Sequence, residues 1–345
     1  MKAKILTALF CLSGVLNMYA QDSLWVRYDN RFKANKFLMD ISEFDSIEFR
    51  ARGTMPVIRR YSTSFDNGYA DYRLSGMTGT DGAALIIGDP GRILWKPRTS
   101  DNSYNNDYAD PKAKWSFKHS KESEHFVVFW DSSFGDDPNA STVPANMRVN
   151  IDDLLLKAEK FYTTNVEELG MVVTGDNKSQ LDTYKMMIYL LYQTEWLATG
   201  SGYDNTVGAL WVNPSTCQPV GSTIAHEIGH SFQYQTYCDN IYRGKANDSR
   251  SGFRYGYPNS NGGCGFWAQC APWQAHQDYP SEAINSYHFD VWMRNYHRHF
   301  EHEWMRYASY WLQTYWTANY GIEAFSTIWK ESKWPESAID AYTRL

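Results

Sequence analysis

The order of the predicted secondary structure elements favours an α+β protein. Strand-like patterns dominate this 345-residue chain up to about residue 221, and helical patterns dominate after it. Runs of strands followed by runs of helices are typical of α+β folds rather than of alternating α/β folds. Hydrophobic residues make up 43% of the chain and aromatic residues 16%, so the chain has enough apolar surface to offset the entropy of ordering a core.

The N-terminal residues have the pattern of a secretory signal peptide. Lys2 and Lys4 precede an apolar stretch over residues 5–16, and Ala20 is a suitable residue before a cleavage site. The stretch is too short for a membrane-spanning helix. We therefore predict a signal peptide over residues 1–20 and a secreted, periplasmic or cell-surface protein that has no membrane span.

Two regions are predicted to separate the signal peptide from the main domain. Residues 21–50 have the pattern of a leader module, and 41–47 resemble the leader of many secreted proteins of Bacteroidetes-type bacteria. Residues 51–110 are rich in Gly, Asn, Asp, Ser and Tyr, which predicts a region of strands and loops. The strand-like segments are 37–41, 45–49 and 83–87.

Residues 111–345 are predicted to form the main domain. Asn150 is a good N-cap for a helix whose first turn holds Asp152 and Asp153, which suit the positive end of the helix dipole. The last helix reaches Leu345 without a cap, which predicts that the native chain continues. Predicted strands are 125–130, 186–192 and 208–212, and predicted C-terminal helices are 281–302, 305–320, 321–330 and 337–345.

Four cysteines lie outside the predicted signal peptide. An even number of cysteines in an exported chain permits two disulfides. Three connectivities are possible, and the spacings do not choose among them. The four residues are Cys217, Cys238, Cys264 and Cys270.

The most specific chemical motif is HExxH at residues 226–230. On a helix, His226 and His230 lie on one side, about 5–6 Å apart, where two imidazoles can bind one zinc ion. Glu227 can then act as general base toward a water molecule beside the metal. The motif therefore predicts Zn²⁺ as cofactor, with His226 and His230 as ligands and Glu227 as the catalytic residue.

The residues around the motif favour a buried helix. Ile224, Ile228 and Phe232 recur at intervals of four and form one apolar face, which predicts that this helix is anchored in the core. Ser222 or Thr223 is suited to cap its start.

The chain from about residue 115 to 345 resembles a family of secreted bacterial proteins of unassigned function that is related to gluzincin metallopeptidases. Residues 123–130, the HExxH motif with Phe232-Gln233, residues 265–277 and Arg306-Tyr307 carry the resemblance. It implies a gluzincin-like domain with a mixed sheet and zinc peptidase activity. It also implies that the strand before the motif, 208–212, is the edge strand that pairs with an extended substrate.

The resemblance also implies a third zinc ligand on the next helix, and the sequence departs from the pattern there. The metzincin continuation is absent, because Gln233 and Thr236 occupy its glycine and histidine positions. In the gluzincin register the ligand glutamate is replaced by Ala268, which has no ligating atom. Three interpretations stay open: another residue replaces the ligand, the site is degenerate, or this copy carries a substitution. The replacement candidates are Gln269, His276, Asp278 and Glu282.

A gluzincin also needs a donor that stabilises negative charge on the substrate carbonyl oxygen. Among the available residues we favour His302 and Tyr307, because both lie near a predicted helix start. The full set of candidates is His288, His297, His299, His302, Arg306 and Tyr307.

Two functions are compatible with these patterns, and a third is the plain alternative. The first is a peptidase acting on peptides, proteins or glycoproteins, which the intact Glu227 favours. The second is a degenerate zincin that binds glycans or glycoproteins in an aromatic cleft, which Ala268 favours. A structural surface protein would have neither metal nor cleft. The net charge of −6 argues against nucleic acid as a partner, and the sequence leaves the oligomeric state open.

Overall fold

The structure, a computed structural model, divides into two units, Met1–Leu94 and Trp95–Leu345. It describes the backbone of the strands between residues 23 and 90, single residues between 92 and 108, and residues 112–245, 265–300 and 302–345. The predicted signal peptide and Cys264 lie outside the described residues. The domain boundaries at residues 20, 50 and 110 stay predictions.

The first unit contains a six-stranded sheet in the order β2-β1-β6-β5-β4-β3. Its neighbouring strands are antiparallel, except that β1 and β6 are parallel. The three strand-like segments predicted from the sequence, 37–41, 45–49 and 83–87, overlap β2, β3 and β6. The strands are β1 (Ser23–Asn30), β2 (Lys33–Asp40), β3 (Ser46–Arg52), β4 (Met55–Tyr61), β5 (Tyr69–Met77) and β6 (Leu85–Pro90).

The second unit contains a five-stranded mixed sheet in the order β10-β11-β9-β8-β7. The three central strands are parallel, and the two outer strands are antiparallel to their neighbours. Every residue of β8 and β9 is buried, as expected for apolar runs in central parallel strands. The strands are β7 (Ser120–Glu122), β8 (Phe126–Trp130), β9 (Met186–Leu190), β10 (Ala198–Tyr203) and β11 (Val207–Val212).

Seven α-helices are described in the second unit, which confirms the α+β class. The first helix begins as predicted, because the Asn150 side chain accepts hydrogen bonds from the backbone N–H groups of Asp152 and Asp153. None of the helices among the described residues is long and apolar enough to cross a membrane. The helices are α1 (Ile151–Thr163), α2 (Ser222–Tyr242), α3 (Gly265–Asp278), α4 (Tyr287–Asn295), α5 (Trp311–Tyr320), α6 (Glu323–Glu331) and α7 (Ala338–Arg344).

The predicted helices 281–302 and 305–320 are too long. A 3-10 turn occupies Pro280–Ala283, and α4 starts only at Tyr287. The reason is local, because the Ser286 side chain accepts the N–H of Phe289 and caps α4 there. In the second segment, α5 does not begin until Trp311.

Helix α2 carries the HExxH motif and packs against β10, β11 and α3. Ile224, Ile228 and Phe232 are completely buried, as their spacing predicts. The predicted side-chain cap is wrong: Gly221 is the N-cap residue and no side chain caps the helix. Ser222 is already the first residue of the helix.

The prediction for the edge strand is also wrong. β11, which contains residues 208–212, lies inside the sheet between β10 and β9, and β10 is the outermost strand. Gly200 of β10 lies directly against α2, where an added Cβ atom would be 2.0 Å from the Glu227 carbonyl oxygen. A residue without a side chain is therefore required for this strand to reach the motif.

The cysteines do not form the two disulfides that their even number permits. The three that the structure describes are buried free thiols. Burial raises the pKa of Cys217 to about 12, so this thiol stays protonated and unreactive. The free thiols are Cys217, Cys238 and Cys270.

Candidate metal centre

The three residues of the HExxH motif come together as predicted. His226, Glu227 and His230 each present one donor atom, and these atoms lie within 4.8 Å of one another. The two imidazole rings are 4.7 Å apart between centroids and nearly perpendicular. In the part of the chain that the structure describes, this is the one group of three or more such residues that is close enough to hold a metal ion.

Both histidines of the group favour the neutral form. Burial lowers the pKa of His226 well below its ordinary value, and the neighbouring His230 lowers it further. Burial also lowers the pKa of His230 to about 4, against the opposing effect of its hydrogen bond to Gln233. A neutral imidazole is the form that binds a metal ion, so these two side chains are ready as ligands at neutral pH.

A chain of buried amides orients His230. The Gln233 Oε1 atom lies 3.0 Å from His230 Nδ1, and Gln233 Nε2 donates to Gln274 Oε1 at 2.8 Å. Gln274 Nε2 in turn donates to Asn165 Oδ1 at 2.6 Å, and Asn165 Nδ2 donates to the Phe161 carbonyl at 2.8 Å. Since an amide oxygen only accepts, Nδ1 of His230 carries the proton and Nε2 is left with its lone pair for a metal.

The sequence reasoning missed this support. The HExxH pattern assigns no role to Gln233 in orienting a ligand, although this residue lies three positions after His230 and so on the same side of the helix. Gln274 and Asn165 carry no local signal, because Gln274 meets Gln233 only when α3 packs against α2. Asn165, which lies in the π-helical turn Thr164–Glu168 after α1, in turn contacts Gln274. All three amides are nearly completely buried.

Glu227 lies at the side of the group, next to β10. Burial raises the pKa of its carboxyl group from 4.5 to about 7, against the opposing effect of a hydrogen bond from the Gly200 backbone N–H. The carboxyl group is thus held between the motif helix and the edge strand. Its position and protonation range suit a group that accepts and releases a proton near neutral pH.

The group opens into a cavity of about 640 Å³, a size typical of small-molecule and peptide sites. Ala268 of α3 lies in the cavity wall. The neighbouring Trp267 packs on His230 with ring centroids 4.1 Å apart. The wall at this position therefore contains an apolar methyl group where a ligand carboxylate was expected.

None of the four replacement candidates joins the ligand group. His276 and Glu282 line the cavity, but they are not among the donor atoms within 4.8 Å. Gln269 donates to the Phe300 carbonyl, and Asp278 pairs with Lys160 Nζ at 2.9 Å. The protein ligands available to a metal in the described structure are thus two imidazoles and, if it turns toward the ion, Glu227.

The candidates for stabilising negative charge separate into two sets. His288, Arg306 and Tyr307 line the cavity. The Tyr307 ring centroid is 6.0 Å from that of His226 and 5.5 Å from that of His288. The preference for His302 is wrong, because its Nδ1 accepts the N–H of Trp304 and its Nε2 contacts Arg298. His297 and His299 also lie outside the cavity lining.

The donor set fits a metal ion that prefers nitrogen ligands. Two neutral imidazoles, one of them oriented by a buried amide, are typical of zinc and related transition-metal sites. Most such sites have a third protein ligand. We therefore expect this centre to bind a metal ion more weakly than a site with three protein ligands does.

The comparisons with known proteins identify a family and no characterised relative. Residues 92–345 match the family described as "Family of unknown function (DUF6055)". The match covers the whole of the second unit, Trp95–Leu345. No curated protein and no solved structure matches the chain.

Proposed function

The chain belongs to the DUF6055 family, whose function is unknown, and from the geometry of the site we propose that it is a zinc-dependent metallopeptidase of gluzincin-like fold. One observation carries the proposal: the donor atoms of His226, Glu227 and His230 lie within 4.8 Å of one another beside a cavity. The mixed sheet with an antiparallel outer strand next to the motif helix supports the same assignment.

The residues have distinct tasks in the proposed reaction. When bound by His226 and His230, zinc supplies a Lewis acid that polarises a carbonyl group and lowers the pKa of water. The Glu227 carboxylate accepts a proton from the attacking water and returns it to the nitrogen of the leaving amine. The Tyr307 hydroxyl donates to the substrate carbonyl oxygen as negative charge develops on it.

The edge strand supplies a place for the substrate backbone. Ala198 and Thr199 of β10 line the cavity beside His226 and Glu227. The outward edge of an outermost strand presents backbone N–H and C=O groups that can pair with an extended peptide. We expect the substrate to lie along β10, with its scissile carbonyl directed toward the motif helix.

The test compares two carboxylates in the same cavity. Glu227→Gln removes the proton acceptor while keeping the side-chain shape, and Glu282→Gln is the matched control because Glu282 also lines the cavity. We expect Glu227→Gln to lower the rate of peptide cleavage by about 10²- to 10⁴-fold, with metal content unchanged. Glu282→Gln should keep most of the rate. Cleavage at the wild-type rate by Glu227→Gln, measured with quenched fluorescent peptides, would refute the mechanism.

A second function, glycan or glycoprotein binding without catalysis, is favoured by two observations. Ala268 offers no ligand, and aromatic side chains line the cavity, among them Trp196, which is 65% exposed, and Trp267. Exposed aromatic faces suit sugar rings because they combine apolar surface with polar edges. In this alternative the motif helix is retained for its packing.

Elemental analysis distinguishes the two functions. The amount of zinc per chain is measured before mild chelation, after it, and after reloading with zinc. The same measurement is made on His226→Ala. Near-stoichiometric zinc that is lost in His226→Ala supports the peptidase. A folded chain that takes up no zinc but binds oligosaccharides supports the alternative.

We also propose that the protein is exported. The positive and apolar pattern of residues 1–20 supports a cleaved signal peptide. Mass spectrometry of the protein from its native host should give a chain that begins near Gln21. An intact N-terminus on a cytoplasmic protein would refute export.

A further inference from the structure

Arg306 places an unpaired cationic group in the cavity. Arg306 lines the cavity, and its Nε atom is buried without a hydrogen-bond partner among the described residues. Among the described residues it forms no ion pair, and its one aromatic contact is with Tyr307, at 5.5 Å from the guanidinium carbon to the ring centroid. A buried donor that lacks a partner is costly, so a ligand that supplies an acceptor here would gain binding energy.

A second unpaired nitrogen belongs to His276, which lines the same cavity. His276 Nδ1 is buried and has no hydrogen-bond partner, and the ring contacts Tyr310 edge-on at 4.7 Å between centroids. In the tautomer protonated at Nδ1, this atom is a donor. The cavity therefore contains two polar side chains with unused buried nitrogens in addition to the motif residues.

The carboxylates of the cavity do not neutralise Arg306. The Glu227 carboxyl group accepts a hydrogen bond from the Gly200 N–H, and among the described residues neither Glu227 nor Glu282 forms an ion pair with Arg306. Ala268 contributes a methyl group to the same wall. Among the described residues, Arg306 is the one lysine or arginine that lines the cavity, and its positive charge lowers the pKa of His230, so it lies within electrostatic range of the motif.

We propose that Arg306 anchors a carboxylate of the substrate, so that the site selects peptides with a free carboxylate close to the scissile bond. The planar guanidinium matches a carboxylate with two parallel hydrogen bonds, and His276 lines the same cavity. The inference rests on the peptidase function proposed above. The carboxylate is either the C-terminal group of a peptide or an Asp or Glu side chain, which share this chemistry.

The test measures binding without catalysis. The full chain is freed of metal by chelation, so that a carboxylate held by a metal is not counted, and ligand affinity is measured by calorimetry. One pair of ligands is N-acetylphenylalanine and its amide, which probes a C-terminal carboxylate. The other is N-acetylaspartate amide and N-acetylasparagine amide, which probes a side chain. We expect at least one carboxylate to bind about tenfold or more tightly than its uncharged partner.

Variants then assign the preference to Arg306. Arg306→Gln should abolish the preference for the carboxylate ligand over its uncharged partner. Arg306→Lys should keep part of this preference, because the positive charge stays while the planar geometry is lost. Arg294→Gln is the matched control, since Arg294 is exposed on α4 outside the cavity. Equal affinity for acid and amide in the wild type, or a preference that survives in Arg306→Gln, would overturn the proposal.

The outcomes separate this inference from the proposed function. A carboxylate preference in a chain that cleaves no peptide would refute the peptidase and leave the anchor standing. Peptide cleavage without any preference for acidic or C-terminal sites would refute the anchor alone. If circular dichroism shows that Arg306→Gln lowers stability, Arg306→Lys is compared with the wild type instead. A preference for the carboxylate ligand that is as strong in Arg306→Lys as in the wild type would then overturn the proposal.

Discussion

The closest contact between the edge strand and the motif helix makes a quantitative prediction for Gly200→Ala. The added Cβ atom would be 2.0 Å from the Glu227 carbonyl oxygen and 2.8 Å from the His230 Cβ atom. An ordinary contact begins near 3.4 Å, so the two backbones must separate by about 1.4 Å, the difference between 3.4 Å and 2.0 Å.

Neither element can move freely. β10 pairs with β11 over six residues, from Ala198 to Tyr203, and α2 is held by its completely buried apolar face. Overpacking of this kind costs about 1–3 kcal/mol, and occasionally more. Because both clashing partners belong to rigid elements, we expect a loss of about 3 kcal/mol in the free energy of unfolding. That is a large part of the roughly 5–15 kcal/mol typical of a domain.

The assay is urea unfolding of the protein, followed by circular dichroism. Gly221→Ala is the control, since the nearest atom to its added Cβ is the Pro219 carbonyl oxygen at 3.9 Å, and it should cost less than about 1 kcal/mol. The displaced strand should also move the Gly200 N–H away from Glu227 and lower catalysis. If Gly200→Ala and Gly221→Ala unfold at the same urea concentration, the close approach of strand and helix is wrong.

Three further predictions concern the centre and the thiols. Gln233→Leu should weaken zinc binding by about 10- to 100-fold, as measured by competition with a chelator, because His230 loses its orienting acceptor. The control is Gln277→Leu, which should leave the zinc affinity unchanged, because this side chain lies on α3 and donates to the Trp273 carbonyl. Equal zinc affinities for the wild type and both variants would contradict the role of the amide chain. Because burial raises the pKa of Glu227 to about 7, the folded metal-free protein holds this proton more tightly than the unfolded chain. Its stabilising contribution is therefore complete below about pH 4.5 and lost as the pH rises through 7. The unfolding free energy of the wild type relative to Glu227→Gln should fall by about 3 kcal/mol between pH 4.5 and 8; a difference independent of pH would be inconsistent with a buried carboxyl group. Iodoacetamide should modify the three described cysteines, Cys217, Cys238 and Cys270, only after denaturation. Mass spectrometry can detect the modification, and labelling of the native protein would contradict the burial of these thiols.

Features that depend on neighbours in the chain could be predicted from the sequence. The Asn150 cap uses N–H groups two and three residues away, and the HExxH spacing places two imidazoles on one side of any helix. The apolar runs that become β8 and β9 need no partner to be recognised as buried. In each case the physical cause lies within one turn or one strand, so the local sequence is sufficient to determine it.

Features that depend on long-range packing were decided only by the tertiary structure. The edge strand β10 contains small and polar residues, ATGSGY, and its place is set by its pairing with β11 and by the absence of a side chain at Gly200. The amides that orient His230 come from α2, from α3 and from the π-helical turn Thr164–Glu168 after α1. Arg306 rather than His302 lines the cavity, because the segment after α4 packs against α3 and brings Tyr307 next to His226. The sequence by itself therefore determined the α+β class and the presence of a two-histidine motif. The structure decided which residues surround that motif, because those contacts join parts of the chain that no local pattern relates.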